Sequence, residues 1–409
     1  MIRSNQLFLR VLIISATVSA ITASAGTGTL SLDQALEIGA TSRLELTAVE
    51  AELSAARERA RQQGAWLNPN IYFMVEGAPT AGDAWNGSNR VIGLEQTLSL
   101  GGRRGADHDA ARLMALGVEA DRDLTGRRVA WSIRTAFARV LHTRSVVEMR
   151  QKVVEATLRA LRIVELRHEL GEAAMDEVTV AQLEFDVAII EVTKAETDLS
   201  VARTDLASTL GSGLDDLPLV TGVLGAPADV PDLEILLAGI DSSPILRGAN
   251  ARAQSRSAVV RSASRHRIPD FGVSLGLRRF GDGGGDAIDA GIRVQLPLFD
   301  RGGARLSAAR ADALVEDAVA RLARTEQERR VREVHARLAV AEAVVRTHTE
   351  KLLPAADAVL AAAERRHAEG DAELIELLQF RASWIQRQLA DLDARLELDL
   401  VRADLKVLH

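Results

Sequence analysis

The chain of 409 residues contains no cysteine. It therefore makes no disulfide, offers no zinc–thiolate site and has no cysteine on which an N-terminal lipid could be placed after export. Aromatic side chains are also scarce, with four Trp, one Tyr and eight Phe, or 3% of residues. So thin a supply suits helices packed through small side chains better than a broad aromatic core. Beyond the N-terminus no run approaches the ~18 to 20 apolar residues of a membrane-spanning helix; Leu233 to Ile240 comes nearest and is far too short. A cationic surplus is missing too. The net charge is -7, and losing Arg3 and Arg10 with a leader makes the remainder more acidic, which argues against a nucleic-acid surface.

What is present begins with an export signal. Arg3 and Arg10 give a positive start, Val11 to Ile21 is mostly apolar, and Ala23-Ser24-Ala25 is an A-x-A-like cleavage site, so residues 1–25 read as a cleaved signal peptide. Ser15, Thr17 and Ser19 interrupt the apolar run and disfavour a transmembrane anchor.

Downstream, Ser31 to Gln63 reads as a helix capped by Ser31 or Asp33. Pro69 then opens an extended stretch, with strands expected at about 70–77 and 90–100. The second alternates, Ile92, Leu94, Leu98 and Leu100 against Gly93, Glu95, Thr97 and Ser99. Helices of about 105–170 and 172–210 follow, separated at Gly171. Val140, Val147, Val154 and Leu161 recur every seven residues in the first, the sign of supercoiled packing. At ~1.5 Å per residue that arm is roughly 100 Å long, several times the ~30 Å of a bilayer core.

A linker of 211–244, holding Pro218, Pro227, Pro231 and Pro244, carries one short strand at Leu219 to Leu224 and one short helix around Leu233. The pattern then restarts. Ile245 to Arg265 is helical, and Pro269 opens strands of about 270–280 and 288–298. In them Phe271, Val273, Leu275 and Leu277 oppose Gly272, Ser274, Gly276 and Arg278, and Ala290, Ile292, Val294 and Leu296 oppose Asp289, Gly291, Arg293 and Gln295. Helices of about 304–369 and 371–408 close the chain, with heptad seams at Val331, Leu338, Val345, Leu352 and at Ile375, Ala382, Leu389, Leu396.

Gln295 lies 199 residues after Gln96, Gly370 199 after Gly171 and Arg402 199 after Arg203, while Pro269 lies 200 after Pro69. Two copies of one unit, 26–210 and 245–409, are thus expected. Each is a strand hairpin, a glycine turn (Gly101-Gly102 or Gly302-Gly303) and a very long coiled helical hairpin. Four strands of ~9 to 11 residues match a bilayer crossing, yet four cannot close a barrel, and open edges do not survive in lipid. Two chains would give a filled eight-stranded barrel and three a twelve-stranded one with an open lumen, so geometry favours a trimer sharing one barrel. Trp66, Tyr72, Phe73, Trp85, Phe271, Phe280 and Phe299 lie in or beside the hairpins, as an interfacial belt requires. Ile92, Leu94, Leu98, Phe271, Val273, Leu275, Ile292 and Val294 are expected to face lipid, and Glu95, Thr97, Arg278 and Arg293 the lumen.

At this point the chain resembles the TolC-type outer-membrane efflux channels, most closely the branch serving heavy-metal resistance pumps. The residues that carry the resemblance are NPNI at Asn68, GLEQTLSLGGRR at Gly93, VQLPLFDRGGAR at Val294, the tip sequences RHELG and RHAEG, and the final LVRADL. It implies a mainly helical protein with membrane strands, assembled as a homotrimer. A twelve-stranded barrel in the outer membrane would continue into a periplasmic α-helical barrel, joined to a periplasmic adaptor and a proton-driven, RND-type inner-membrane pump. It also implies that the tips at Gly171 and Gly370 form the entrance and adaptor-docking end, where Asp176, Glu177, Asp371, Glu373 and Glu376 follow. Glu177 and Glu376 match the position of a carboxylate ring in relatives.

No catalytic constellation and no cofactor motif emerges. The eight histidines, His108, His142, His168, His266, His335, His348, His367 and His409, show no close metal-ligand spacing. The function expected is a passive exit duct, for divalent heavy-metal cations or alternatively for organic toxicants. A periplasmic coiled-coil adaptor or structural protein would explain the heptads but not the two strand hairpins.

Overall fold

The computed structural model describes residues 28–78, 80, 87–99, 101–211, 217–226, 228, 230–281, 283–369 and 371–408. The expected leader, Trp85, Leu100, Gly370 and His409 lie outside the described residues. A two-residue strand β1 (Thr29–Leu30) leads into α1 (Leu32–Ser42), which a full capping box starts: the Ser31 hydroxyl accepts from Gln34 N–H, and the Gln34 side chain accepts from Ser31 N–H at 2.9 Å. The single helix expected over Ser31 to Gln63 is broken. Arg43 is extended, and α2 (Leu44–Gly64) starts anew. The reason is local and polar. Ser42 Oγ donates to Leu210 O at 2.6 Å and Arg43 Nη1 to Thr209 O at 3.1 Å, so the end of α1 caps a distant helix C-terminus instead of continuing.

Strands β2 (Asn70–Glu76) and β3 (Asn89–Leu98) form the first hairpin. The chain then enters α3 (Arg103–Glu169), a helix of 67 residues, and returns through α4 (Met175–Leu210). Ala181, Ala188, Ala195 and Ala202 are buried every seventh residue of α4, so methyl groups let it lie close against α3. In the linker, β4 (Leu219–Val220) pairs in parallel with β1, and Leu30 and Val220 enter the same buried cluster as Ile133, Phe137 and Leu206. The short helix α5 (Leu233–Ala238) and a 3₁₀ turn at Ile240–Ser242 precede α6 (Pro244–Arg265), which starts on Pro244 with Ser243 as its cap.

The second hairpin is β5 (Phe271–Arg279) and β6 (Asp286–Val294). Both hairpins join one antiparallel sheet in the order β2-β3-β5-β6, leaving β2 and β6 as edges. β6 ends four residues short of the expected Leu298. Helix α7 (Gly303–Thr347) then runs through a π turn at His348–Leu352 into α8 (Leu353–Ala368), and α9 (Leu374–Leu408) returns. Pro354 explains the π turn, since it has no N–H for the carbonyl four residues back and its ring crowds the preceding turn. Residue 155 is Glu where the second copy has this proline by the tip offset, and α3 passes uninterrupted.

Val331, Leu338 and Val345 are buried as their spacing predicts, whereas Leu352 falls in the π turn and is exposed. The seam expected in α9 is displaced: Leu377, Asp391, Leu398 and Leu405 are buried, and Ile375 and Ala382 are exposed. Apolar residues occupy two faces of α9, which spacing alone does not rank. Leu398 and Leu405 join the second copy's core, while Leu389 and Leu396 pack against clusters built on α3 and α4.

The repeat offset is not constant. Ile71 opposes Leu94 in the first hairpin and Phe271 opposes Val294 in the second, so both strands are displaced by 200. The helix caps Gly102 and Gly302 keep that displacement. At the tips it is 199, as the bonds from His168 to Ala173 and from His367 to Ala372 show. Gln96 and Gln295 are therefore not structural equivalents; Gln96 shares a face with Ile92, and Gln295 lies beyond the end of β6.

Candidate functional site: a two-faced sheet and two helical tips

Strand register sorts the hairpin side chains into two faces. Leu98, Phe271 and Val294 form one row, and Gln96, Val273 and Ile292 the next. Ile71, Leu94, Leu275 and Ala290 follow, then Phe73, Ile92, Leu277 and Ile288. All eight positions expected to face lipid fall on this face, which is largely exposed, with Leu98 and Phe271 half-buried; Ile292 keeps 76% of its accessible surface. It extends about 20 Å along the strands at ~3.4 Å per residue. A charged row of Arg90, Arg279 and Asp286 closes it at the loop end. Gln96 is the one polar intruder, and its amide donates to Leu67 O at 2.8 Å.

Glu95, Thr97, Arg278 and Arg293 share the opposite face. There Arg278 bridges Glu76 and Asp289, with 2.8 Å to the latter, and Arg293 reaches Glu95 at 2.8 Å. Tyr72 lies across Gly93 and Gly276, where an added Cβ would stand 2.5 Å and 3.1 Å from its atoms. These glycines make room for the ring. The network of Glu76, Tyr72 and Asp289 was not expected, although the alternation Tyr72, Met74, Glu76 places all three on this side.

At the strand-to-helix junctions the four expected glycines divide. Gly102 and Gly302 cap α3 and α7 with φ of +67° and +70°, a conformation L side chains rarely adopt. Gly101 packs on Ile268, and Gly303 meets nothing within 4 Å. Arg103 ties the junction to the second hairpin through Asp270 at 2.7 Å, and the Arg104 guanidinium stacks 3.8 Å from the Trp66 ring centroid.

At the tips, Gly171 turns the chain with φ +77°. In each turn a histidine donates from Nδ1 to a carbonyl five residues on, His168 to Ala173 and His367 to Ala372, both at 2.9 Å. This repeated lock was missed, although RHELG and RHAEG place a histidine at the same point of both tips. The acidic residues differ in state. Glu177 Oε1 accepts from Ala174 N–H at 3.2 Å and Asp176 Oδ1 from Glu177 N–H, both serving the N-terminus of α4. Glu376 instead pairs with Arg366 at 2.7 Å, while Asp371 and Glu373 are exposed. The two hairpins are also tied to each other, by Trp131 Nε1 donating to Asp404 at 2.8 Å and by His142 Nε2 at 2.9 Å from Asp393.

Near mid-length the linker packs on α9. Gly225 N–H donates to Asp399 Oδ2 at 2.8 Å, and burial pushes the Asp399 carboxyl above the ordinary range against the opposing pull of that bond and of Arg402. Among the described residues no helix is long and apolar enough to cross a membrane, and no three His, Asp or Glu side chains are arranged to hold a metal ion.

A two-faced four-stranded sheet carried on long coiled helical hairpins, duplicated within one chain, defines the class of fold. Comparison with known proteins agrees. The outer membrane efflux protein family model matches residues 33–212 and again 239–408. The chain belongs to that family. It is 25% identical to the cobalt-zinc-cadmium resistance protein CzcC of Cupriavidus metallidurans over 88% of this chain and 85% of that one. With the nickel-cobalt-cadmium resistance protein NccC of Alcaligenes xylosoxydans it shares 27% identity over 71% of this chain and 65% of that one. The crystal structure of the outer membrane protein VceC of Vibrio cholerae shares the fold, with TM-score 0.76 and 19% identity over 91% of this chain and 94% of that one.

Proposed function

We propose that three copies of this chain form an exit duct in the outer membrane. Their sheets close into one twelve-stranded barrel and their helical hairpins continue it as a periplasmic tube. One observation carries the reading: a four-stranded sheet with an exposed apolar face, a polar opposite face and two open edges leads through glycine caps into helices of 67 and 45 residues. Such edges are stable in lipid only when paired. Ile92, Leu94, Leu98, Phe271, Val273, Leu275, Ile292 and Val294 then face lipid, and Glu95, Thr97, Arg278 and Arg293 face the lumen. The leader is cleaved on export.

The duct conducts passively and is no enzyme; a periplasmic adaptor docks on the tips around Gly171 and Gly370, and an inner-membrane pump of the RND type drives transport. Divalent heavy-metal cations are the proposed cargo, on the strength of what CzcC and NccC are named for. Deleting the gene tests the cargo. Lowered tolerance to cobalt, zinc, cadmium or nickel with unchanged tolerance to a drug panel is expected, and the reverse pattern would assign the duct to organic toxicants.

A further inference from the structure

The internal repeat specifies how neighbouring copies join. Inside one chain the first hairpin meets the second through β3 and β5, where Leu94 opposes Leu275, Gln96 opposes Val273, Leu98 opposes Phe271 and Gly93 opposes Gly276. Both strands of the second hairpin lie 200 residues beyond those of the first, from Ile71 and Leu94 to Phe271 and Val294. If a ring repeats this junction, the free edge β6 meets the free edge β2 of the next copy with the same register. Moving Leu94 forward by 200 gives Val294, and moving Leu275 back by 200 gives Val75.

We infer that β6 pairs antiparallel with β2 of a second copy so that Val294 opposes Val75, Leu296 opposes Phe73 and Arg293 opposes Glu76. This rests on the shared-barrel reading and adds the residue-level register to it.

Two observations outside the repeat argument agree. The first is charge. On the polar face the described part of β2 carries one charged residue, Glu76, and β6 carries Asp289 and Arg293. The inferred register sets Arg293 opposite Glu76. Slipping it by two residues removes that match, placing Arg293 against Met74 or Ala78, and a slip of four can place Asp289 against Glu76, two like charges directly across. The Arg293 side chain is 77% exposed within one chain even while it reaches across β5 to Glu95.

The second is the early end of β6. Gln295 and Leu296 continue the alternation but have no strand pairing among the described residues, and Leu296 stands exposed at 63%. The inferred register supplies Phe73 of the neighbouring copy as the cross-strand partner of Leu296, and the ladder stops there, because Pro297 has no N–H to donate and Leu298 N–H donates to Leu296 O at 3.0 Å.

The chain's lack of cysteine makes the test clean. Directly opposed residues have Cβ atoms ~4.5 to 5.5 Å apart, near disulfide reach, while diagonal neighbours lie ~7 to 8 Å apart. The full-length protein in outer membranes is oxidised as the double variants Val294→Cys with Val75→Cys and, from the other face, Arg293→Cys with Glu76→Cys. Shifted controls are Val294→Cys with Phe73→Cys and Val294→Cys with Gly77→Cys. Covalent trimers as the main species from either matched pair, with the shifted pairs several-fold weaker, support the register. Cross-linking that favours a shifted pair overturns the register while leaving the shared barrel standing, as does a detergent-extracted trimer that no pair cross-links. A protein that extracts as a monomer and cross-links in no pair overturns the barrel and the register together.

Discussion

At the scale of single residues, charge at the tips is unevenly balanced. Glu376 is paired with Arg366, while the Glu177 carboxylate accepts from the backbone N–H of Ala174. A carboxylate ring at a trimeric entrance would attract cations, and its strength should depend on the freer carboxylate. Glu177→Gln is expected to weaken block of single-channel current by divalent cations several-fold, Glu376→Gln to change it little, and Arg366→Ala to strengthen it. Equal effects of the two glutamine variants would refute this division of labour.

Asp399 gives a prediction in pH. Its carboxyl binds a proton more tightly in the fold than in the unfolded chain, so its ionised form opposes folding. That cost is absent below the ordinary aspartate range and grows as pH rises through the raised folded value. Asn retains an oxygen for the Gly225 N–H. Between pH 4 and 7 the melting temperature of Asp399→Asn is therefore expected to gain on that of the unaltered protein as pH rises. A gap that shrinks over that range would contradict the burial argument.

Among elements, the strand-to-helix junction depends on backbone conformation at one residue per copy. A side chain at Gly102, with φ +67°, costs ~1 to 2 kcal/mol. Gly102→Val should lower the melting temperature by several degrees, whereas Gly303→Ala, with open space and an ordinary helical position, should be neutral. Equal losses would mean that the capping geometry does not govern the junction.

The elements were unevenly legible in the sequence. Alternation at Ile92, Leu94 and Leu98 gave the strand faces, because a side chain's side is fixed by period two. The break at Arg43 was hidden, since the groups that end α1 bond to Thr209 and Leu210, far along the chain. The α9 seam was misplaced because Leu389 and Leu396 serve contact with the first copy while Leu398 and Leu405 serve the second copy's core. Pro354 was visible, but only the structure shows that a π turn absorbs it without ending the helix. At the candidate site, the acidic residues could be located from the repeat, whereas their partners could not: Arg366 and Glu376 are ten residues apart across a turn.

On the scale of the whole molecule, the apolar face is meaningful only if it meets lipid. Leu94 sits in a middle row of that face. An arginine there costs ~2 to 4 kcal/mol at the bilayer midplane. Leu94→Arg is expected to reduce the protein recovered in outer membranes severalfold, while Thr97→Arg, directed to the lumen, is tolerated. Normal insertion of Leu94→Arg would reverse the assignment of the faces.

The central claim, that this chain supplies one third of a closed barrel, is tested most directly by the three-dimensional structure of the assembly extracted from outer membranes into lipid nanodiscs. The account predicts three copies around one axis, a single closed barrel of twelve strands within the lipid, and β6 of each copy paired with β2 of the next. Any other copy number, or a sheet whose apolar face is buried against its own helices with both edges unpaired, would contradict it.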